Sequence, residues 1–224
     1  MAIERVVALE ALAAAQHGLI TTPQAIACLG VSRKGRWVGE GRLVSAQPGV
    51  FRVAGAPQSW HQALHAAALA SAGVVSHRSA AALWGFGAPS HYVEVSLRPG
   101  GGPRLRPPAI GHPLGDADRE RAVVHQGLPL TDPVRTILDL GRVIPPRSVR
   151  VALDTAVLMG LVTVRQAKDL RAALDRRHHH DRRLTALRGG AATDADRDLA
   201  AALPPRESAP GSSGLPPTAV SGRQ

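Results

Sequence analysis

The chain has 224 residues, of which 44% are hydrophobic but only 3% aromatic, so aliphatic side chains must supply most of its core. Its formal net charge of +10 at pH 7 favours a polyanionic partner, and the single cysteine, Cys28, excludes an intramolecular disulfide and a cysteine-based metal site. No apolar run approaches the roughly 20 residues that span a bilayer and no charged-then-apolar leader is present, which predicts a cytoplasmic protein without a membrane partner.

The first predicted element is a helix from Ile3 to His17, with apolar residues along one broad face and Gly18 at its end. A short helix is expected next. The Thr22 hydroxyl can cap it, Pro23 fits its first turn because a missing N–H costs nothing there, and Gly30 suits the left-handed residue at its end.

A second short helix follows, with Ser32 as its predicted cap and a cluster of cations in its first turn. Two β-prone runs then flank the turn Gln47-Pro48-Gly49. This order of elements is that of a winged helix-turn-helix, which lays its basic helix into a DNA groove. The predicted DNA-contacting residues are Ser32, Arg33, Lys34 and Arg36 toward the major groove, and Arg42 and Arg52 toward the backbone beside the wing.

The alternative for this segment is a small helical hairpin with a solvated basic face. Three glycines (Gly35, Gly39 and Gly41) lie within or just after the basic helix. A glycine in a helix interior costs roughly 1 kcal/mol relative to alanine, so this helix is expected to be short.

The remainder is predicted to be a mixed α+β domain followed by a disordered tail. Its helices are expected at 60–72, 79–84, 132–140, 145–160 and 164–187, and its strands at 74–76 and 92–97, with weaker strand signals near 109–110 and 123–124. The tail is rich in Gly, Pro and Ser and has no periodic apolar face. The predicted fold class is therefore α+β, with a winged helix-turn-helix at 1–55, an α+β domain at 60–188 and a disordered segment at 189–224.

Four sequence blocks together resemble the AbiEi-family antitoxins of type IV toxin–antitoxin systems. They are PGVFRVAG (48–55), SHRSAAALWG (76–85), LTDPVRTILDL (130–140) and the run from ALD (152–154) to GLVT (160–163). The resemblance extends over roughly residues 5–188. It implies a winged helix-turn-helix that represses its own promoter, followed by a domain that opposes a nucleotidyltransferase-like toxin.

Two departures from the family pattern bear on this reading. The basic helix between Ser32 and Gly41 is about two residues shorter and richer in glycine, which affects its register on DNA. Some relatives continue into a Vsr-like endonuclease domain, and 189–224 is expected to be at most a remnant of one, in a truncated or frame-shifted copy. Winged regulators often dimerise on palindromes, which leaves a homodimer on DNA open, although no heptad or apolar seam supports it.

Catalytic and metal-binding interpretations are weaker than structural ones. A metal-dependent nuclease needs carboxylates and a lysine around its ion, and no Glu here has a Lys two positions later. The run 178–180 of three adjacent histidines cannot chelate one ion from a regular helix, so a solvated basic segment is expected. The glycines at 100–102 lack the Lys-Ser/Thr of a phosphate loop. No catalytic residue, metal or cofactor is predicted.

Two further motifs have a structural and a chemical interpretation. The Ser76-His77 pair suggests a nucleophile and base, but no nucleophile elbow surrounds it, and His77 is expected to be a capping or structural residue. Asp132, Arg135 and Asp139 are expected to form a helix start and a pair at i, i+4 spacing rather than an acid–base dyad. The predicted function is that of a DNA-binding regulator and antitoxin. A toxin-neutralising interaction module that does not bind DNA is the alternative.

Overall fold

The computed structural model describes residues 2–97, 104–113 and 122–178. By contacts, Met1–Arg176 form one compact unit and Arg177–Gln224 a second, of which residues 177 and 178 are described. The predicted loop at 99–103, the run 179–180 and the predicted disordered segment at 189–224 lie outside the described residues.

The described part of the chain is an α+β fold with two sheets, as predicted. Its helices are α1 (Ala2–Ala15), α2 (Thr22–Leu29), α3 (Val31–Gly39), α4 (Trp60–Ser71), α5 (His77–Trp84), α6 (Pro133–Leu140), α7 (Pro146–Leu158) and α8, which starts at residue 164 and is described as far as 178. Its strands are β1 (Leu19–Thr21), β2 (Leu43–Gln47), β3 (Val50–Val53), β4 (Val74–Val75), β5 (Val93–Leu97), β6 (Ala109–Pro113), β7 (Val123–His125) and β8 (Leu128–Leu130).

Helix α2 is capped by a local pair of side chains, and two of the predicted helix caps were wrong. The cap of α2 is Thr21, not Thr22: its hydroxyl accepts the Gln24 N–H while the Gln24 side chain accepts the Thr21 N–H. The hydroxyl of Thr22 instead donates to the Gly49 carbonyl at 3.1 Å. Ser32 lies inside the first turn of α3, whose cap is Gly30 at φ 76°, and no side chain bonds there.

The wing hairpin is present, and β1, which the sequence analysis missed, completes a three-stranded sheet in the order β1-β3-β2. All its pairs are antiparallel, with Thr21 opposite Val50 and Val44 opposite Arg52. One face packs against the three helices around a core that includes the buried Cys28. That core comprises Leu9, Ile20, Ala25, Cys28, Leu29, Trp37, Leu43 and Phe51.

The second sheet has five strands in the order β6-β5-β4-β8-β7 and mixes parallel with antiparallel pairs. Strand β8 was not predicted. Helices α4 and α5 cover the sheet through a cluster that includes Leu64, Val75 and Val95. A separate cluster, centred on Ile137 and Leu153, holds α6, α7 and the start of α8 together.

The two predicted domains share a core instead of being joined only by a linker. Leu19 and Val50 of the first sheet pack on Ala66 of α4. The Gln62 side chain donates to the His17 carbonyl at 2.7 Å. The winged module is therefore held firmly against α4, within the unit that ends at Arg176.

Candidate nucleic-acid interface

Helix α3 is anchored by one residue, and its cations flank that anchor. Trp37 is 5% exposed and fixes the inner face of the helix. At about 100° per residue, Gly35 and Gly39 lie nearly opposite Trp37. A Cβ on either glycine would meet nothing within 4 Å, so the outermost face of α3 is bare backbone. The predicted contact residue Ser32 is exposed near this face.

Two of the predicted DNA-contacting cations lie over aromatic rings. The guanidinium of Arg42 is 3.6 Å from the centroid of the Trp37 ring, and the ammonium of Lys34 is 4.6 Å from that of Phe51. Stacking fixes Arg42 beside the end of α3 while leaving it exposed. The sequence analysis did not assign Trp37 this role, although an aromatic residue one turn after Arg33 is a visible signal.

Arg33 and Arg36 are exposed and border a groove of about 580 Å³ between α3 and α1. Arg42 also lines this groove, and Ile3 and Val7 are among its apolar residues. Glu10 and Glu40 are its acidic members. The structure thus brings Arg33, Arg36 and Arg42 together along one groove, while Lys34 lies on the other flank of α3, over Phe51. We call these residues, with Ser32, the α3 surface (Ser32, Arg33, Lys34, Arg36 and Arg42).

Arg52 is not part of the α3 surface. In β3 it alternates with Phe51 and Val53, which face the helical core, so its side chain emerges on the opposite face of the sheet. There it lines a cleft against α4 and donates to the Ala56 carbonyl at 3.0 Å. Arg52 therefore lies on a different face from the other predicted contact residues, and its contact with the DNA backbone stays a prediction.

The wing is short, and its tip is hydrogen-bonded to the first residue of α2. Val50 begins β3 directly opposite Thr21, the last residue of β1, so the hairpin does not project beyond the sheet. The Thr22 N–H also donates to the Gly49 carbonyl at 2.8 Å. The α3 surface, rather than the wing tip, is therefore the exposed basic feature of this module.

A buried polar cluster that the sequence analysis only partly identified lies at the start of α5. The Glu94 carboxylate is fully buried and accepts two bonds from the Arg78 guanidinium, at 2.8 and 3.0 Å, and one from the Arg78 backbone N–H. Burial alone would raise the pKa of Glu94. The hydrogen bonds from His112 and Arg78 outweigh burial and lower this pKa to about 2. The Glu94 carboxylate is therefore ionised and has a structural role.

His77 packs face to face on His112, with ring centroids 3.7 Å apart, and its Nδ1 lies 2.9 Å from the Ser76 hydroxyl. Burial, followed by the charge of His112, lowers the pKa of His77 to about 3. Ser76 and His77 are both buried, at 0% and 1% exposure, so no substrate reaches them in this conformation. These contacts agree with the structural role expected for His77.

The predicted start of α6 is confirmed. Asp132 caps the helix by accepting the Arg135 N–H at 2.8 Å. The guanidinium of Arg135 donates to Asp139 at 3.0 Å, the i, i+4 pair expected from the sequence. In the described residues, no helix is long and apolar enough to cross a membrane. That same part of the chain contains no group of three or more His, Cys, Asp or Glu that could hold a metal ion.

Comparison with known families agrees with the resemblance noted from the sequence. Residues 7–54 match the model of a family described as "Transcriptional regulator, AbiEi antitoxin". The match covers most of α1 and all of α2, α3 and the wing hairpin. No curated protein matches the chain. The winged module is thus similar to a family of transcriptional regulators.

Proposed function

We propose that this chain is a cytoplasmic DNA-binding transcriptional regulator of the AbiEi antitoxin type, which binds double-stranded DNA through the α3 surface and represses its own promoter. The observation that carries the proposal is the clustering of Arg33, Arg36 and Arg42 around a helix whose outer face is open. The family match over the same residues supports it.

The geometry suggests how a duplex would be held. Arg33 and Arg36 on one flank of α3 would reach phosphates or base edges along the groove wall, and Arg42 would reach the backbone from its position on Trp37. The shorter side chains of Lys34 and Ser32 would make additional contacts with the duplex. The bare backbone at Gly35 and Gly39 allows α3 to approach the groove floor closely.

The direct test is binding to a duplex from the chain's own promoter, measured by fluorescence anisotropy at fixed salt. The double variant Arg33→Ala, Arg36→Ala should lose promoter binding while keeping the circular dichroism spectrum of the parent. Arg147→Gln removes a charge from an exposed position on α7 and is the matched control. Retained specific binding by the double variant would refute the assignment of the α3 surface.

The second half of the proposal is that residues 60–188 oppose a nucleotidyltransferase-like toxin. A specific observation favours an interaction surface here: Val151 and Leu158, seven residues apart on α7, are 67% and 87% exposed. Met159 and Val164, which follow in the chain, are also exposed. Apolar side chains that cluster on an otherwise solvated face are typical of a protein contact.

Co-expression with the products of adjacent genes tests this surface. Leu158→Asp should abolish rescue from the toxin and co-purification with it, while promoter binding is unchanged. If instead the parent chain neutralises the toxin yet binds no duplex at low salt, the interaction-module alternative is correct. The mass of the protein–DNA complex in solution shows whether a homodimer forms on the operator.

A further inference from the structure

The back of the wing sheet forms one wall of a cleft of about 370 Å³, which we call the joint cleft. Val44 and Arg52 of the hairpin lie on one side, Gln62 and Ala63 of α4 on the other, and Pro107 and Pro108 close one end. Small-ligand sites commonly have this size and occur where two modules meet.

The lining of the joint cleft combines apolar and polar side chains in similar proportion, with one cation. Alanine, valine and proline supply the apolar part, and serine and glutamine side chains, among them the amides of Gln58 and Gln62, supply the polar part. Arg52 is the only charged residue in the lining, and no acidic residue is present in that set. A guanidinium in a partly apolar recess without a carboxylate favours an anion there.

The hydrogen-bonding capacity of Arg52 is largely unused. A guanidinium has five N–H donors, and within the described residues Arg52 makes a single hydrogen bond, to the Ala56 carbonyl. That bond holds the side chain at the cleft, and no ion pair in the described part of the chain includes it. The remaining donors can form a two-point contact with a carboxylate or phosphate.

We infer that the joint cleft is a binding site for a small organic anion, a carboxylate or phosphate monoester on a compact apolar body, held by Arg52. The site lies on the opposite face of the sheet from the α3 surface. It goes beyond the proposed function and does not depend on DNA binding.

Titration calorimetry of the full chain tests this with benzoate and phenyl phosphate as probes, and with benzamide as the neutral match of benzoate. A single ion-paired group on a ring predicts a Kd on the order of 1 mM. Benzoate or phenyl phosphate should bind at least about tenfold more tightly than benzamide. The tighter of the two identifies the anionic group preferred.

Two kinds of variant make the test specific. Arg52→Gln removes the cation. Val44→Glu places a carboxylate directly across the strand pair from Arg52, where it replaces the ligand without removing any existing contact of Arg52. Both should weaken anion binding at least about tenfold, whereas Arg147→Gln, which removes a cation far from the cleft lining, should leave it unchanged.

Any one of three results would refute the proposed anion site. Equal affinity for benzamide, full anion binding by a folded Val44→Glu variant, or no binding of either anion at concentrations up to about 50 mM would each refute it. Because no DNA is present in the assay, such a failure is separate from any failure of the α3 surface.

Discussion

The side-chain amide of Gln47 forms both of its hydrogen bonds with the backbone of Arg106: its Nε2 donates to the carbonyl at 3.0 Å and its Oε1 accepts the N–H at 2.8 Å. Gln47 is the last residue of β2 and is 6% exposed. The Arg106 guanidinium also donates to the Ser45 hydroxyl at 2.9 Å. These contacts fasten the wing hairpin to the segment that precedes β6.

Replacing this amide should weaken the joint. Gln47→Met keeps the volume but leaves the Arg106 N–H without its partner, while the Arg106 carbonyl keeps the bond from the Ala109 N–H, and is expected to cost about 1 kcal/mol in the free energy of unfolding. Urea denaturation monitored by tryptophan fluorescence measures the change. Ser45→Ala, which removes only the exposed bond to Arg106, is the control. A loss below about 0.5 kcal/mol for Gln47→Met would contradict the role assigned here.

The salt dependence of DNA binding should distinguish Arg33 and Arg36, which are proposed to contact phosphates, from Arg52. Arg33→Ala and Arg36→Ala each remove a proposed phosphate contact, so each should reduce the slope of log K against log salt concentration by about one. Arg52→Ala should leave the slope unchanged because its side chain is on the opposite face of the sheet. Anisotropy titrations at several salt concentrations give these slopes. A reduced slope for Arg52→Ala would show that DNA reaches that face.

The glycines of the winged module should respond oppositely to alanine. Gly35 has helical backbone and open space around it, so Gly35→Ala should stabilise the fold by about 0.5–1 kcal/mol. Gly30 has φ +76°, which alanine adopts only with strain, so Gly30→Ala should destabilise by a similar amount or more. Thermal melts compare the two variants directly. Destabilisation by Gly35→Ala would mean that α3 is not helical at that position.

Replacing only one partner of the Arg78–Glu94 pair should destabilise the fold. Arg78→Met leaves the buried Glu94 carboxylate with only the backbone N–H of residue 78 and His112 as partners, which is expected to cost about 3 kcal/mol at pH 7. The pKa of Glu94 should rise toward and above its usual value, so the carboxyl becomes neutral at mildly acidic pH. Adding Glu94→Gln should recover part of the loss. Denaturation of the single and double variants forms a thermodynamic cycle, and strictly additive losses would argue against coupling.

His77 should make the fold sensitive to acid. Its pKa is lowered from 6.5 to about 3, so between these values the unfolded chain binds a proton that the native state does not. Stability is then fully present above pH 6.5 and falls as the pH is lowered toward 3, by up to about 1.4 kcal/mol per pH unit from this group. Glu94, with its pKa lowered to about 2, adds a loss of the same sign below its ordinary value of 4.5.

His77→Asn tests this directly, because asparagine tolerates the positive φ of 51° and does not titrate. The variant should be less stable at pH 7 but should lose less stability between pH 7 and pH 5 than the parent. Urea midpoints at the two pH values measure the difference. An unchanged pH dependence would show that other groups, such as the buried His65, dominate it.

The sequence by itself determined the features that depend on neighbouring residues. The helix–turn–helix order, the glycine at the end of α2 and the Asp132 cap of α6 follow from caps, turns and periodicity, whose energies act within a few residues. Local signals were ambiguous where two adjacent residues could serve, as with Thr21 and Thr22. Short strands such as β1 and β8 carry too few residues for a clear alternation.

Only the tertiary structure decided which face each functional side chain occupies. Arg42 and Arg52 look equivalent in the sequence, yet one stacks on Trp37 and the other faces α4. Arg42 lies in the bend between α3 and β2, whereas the alternation of side chains along β3 fixes the face of Arg52. The pairing of Gln47 with Arg106 and of Arg78 with Glu94 joins residues 59 and 16 positions apart. Such partners are chosen by the packing of whole elements, which no local pattern encodes.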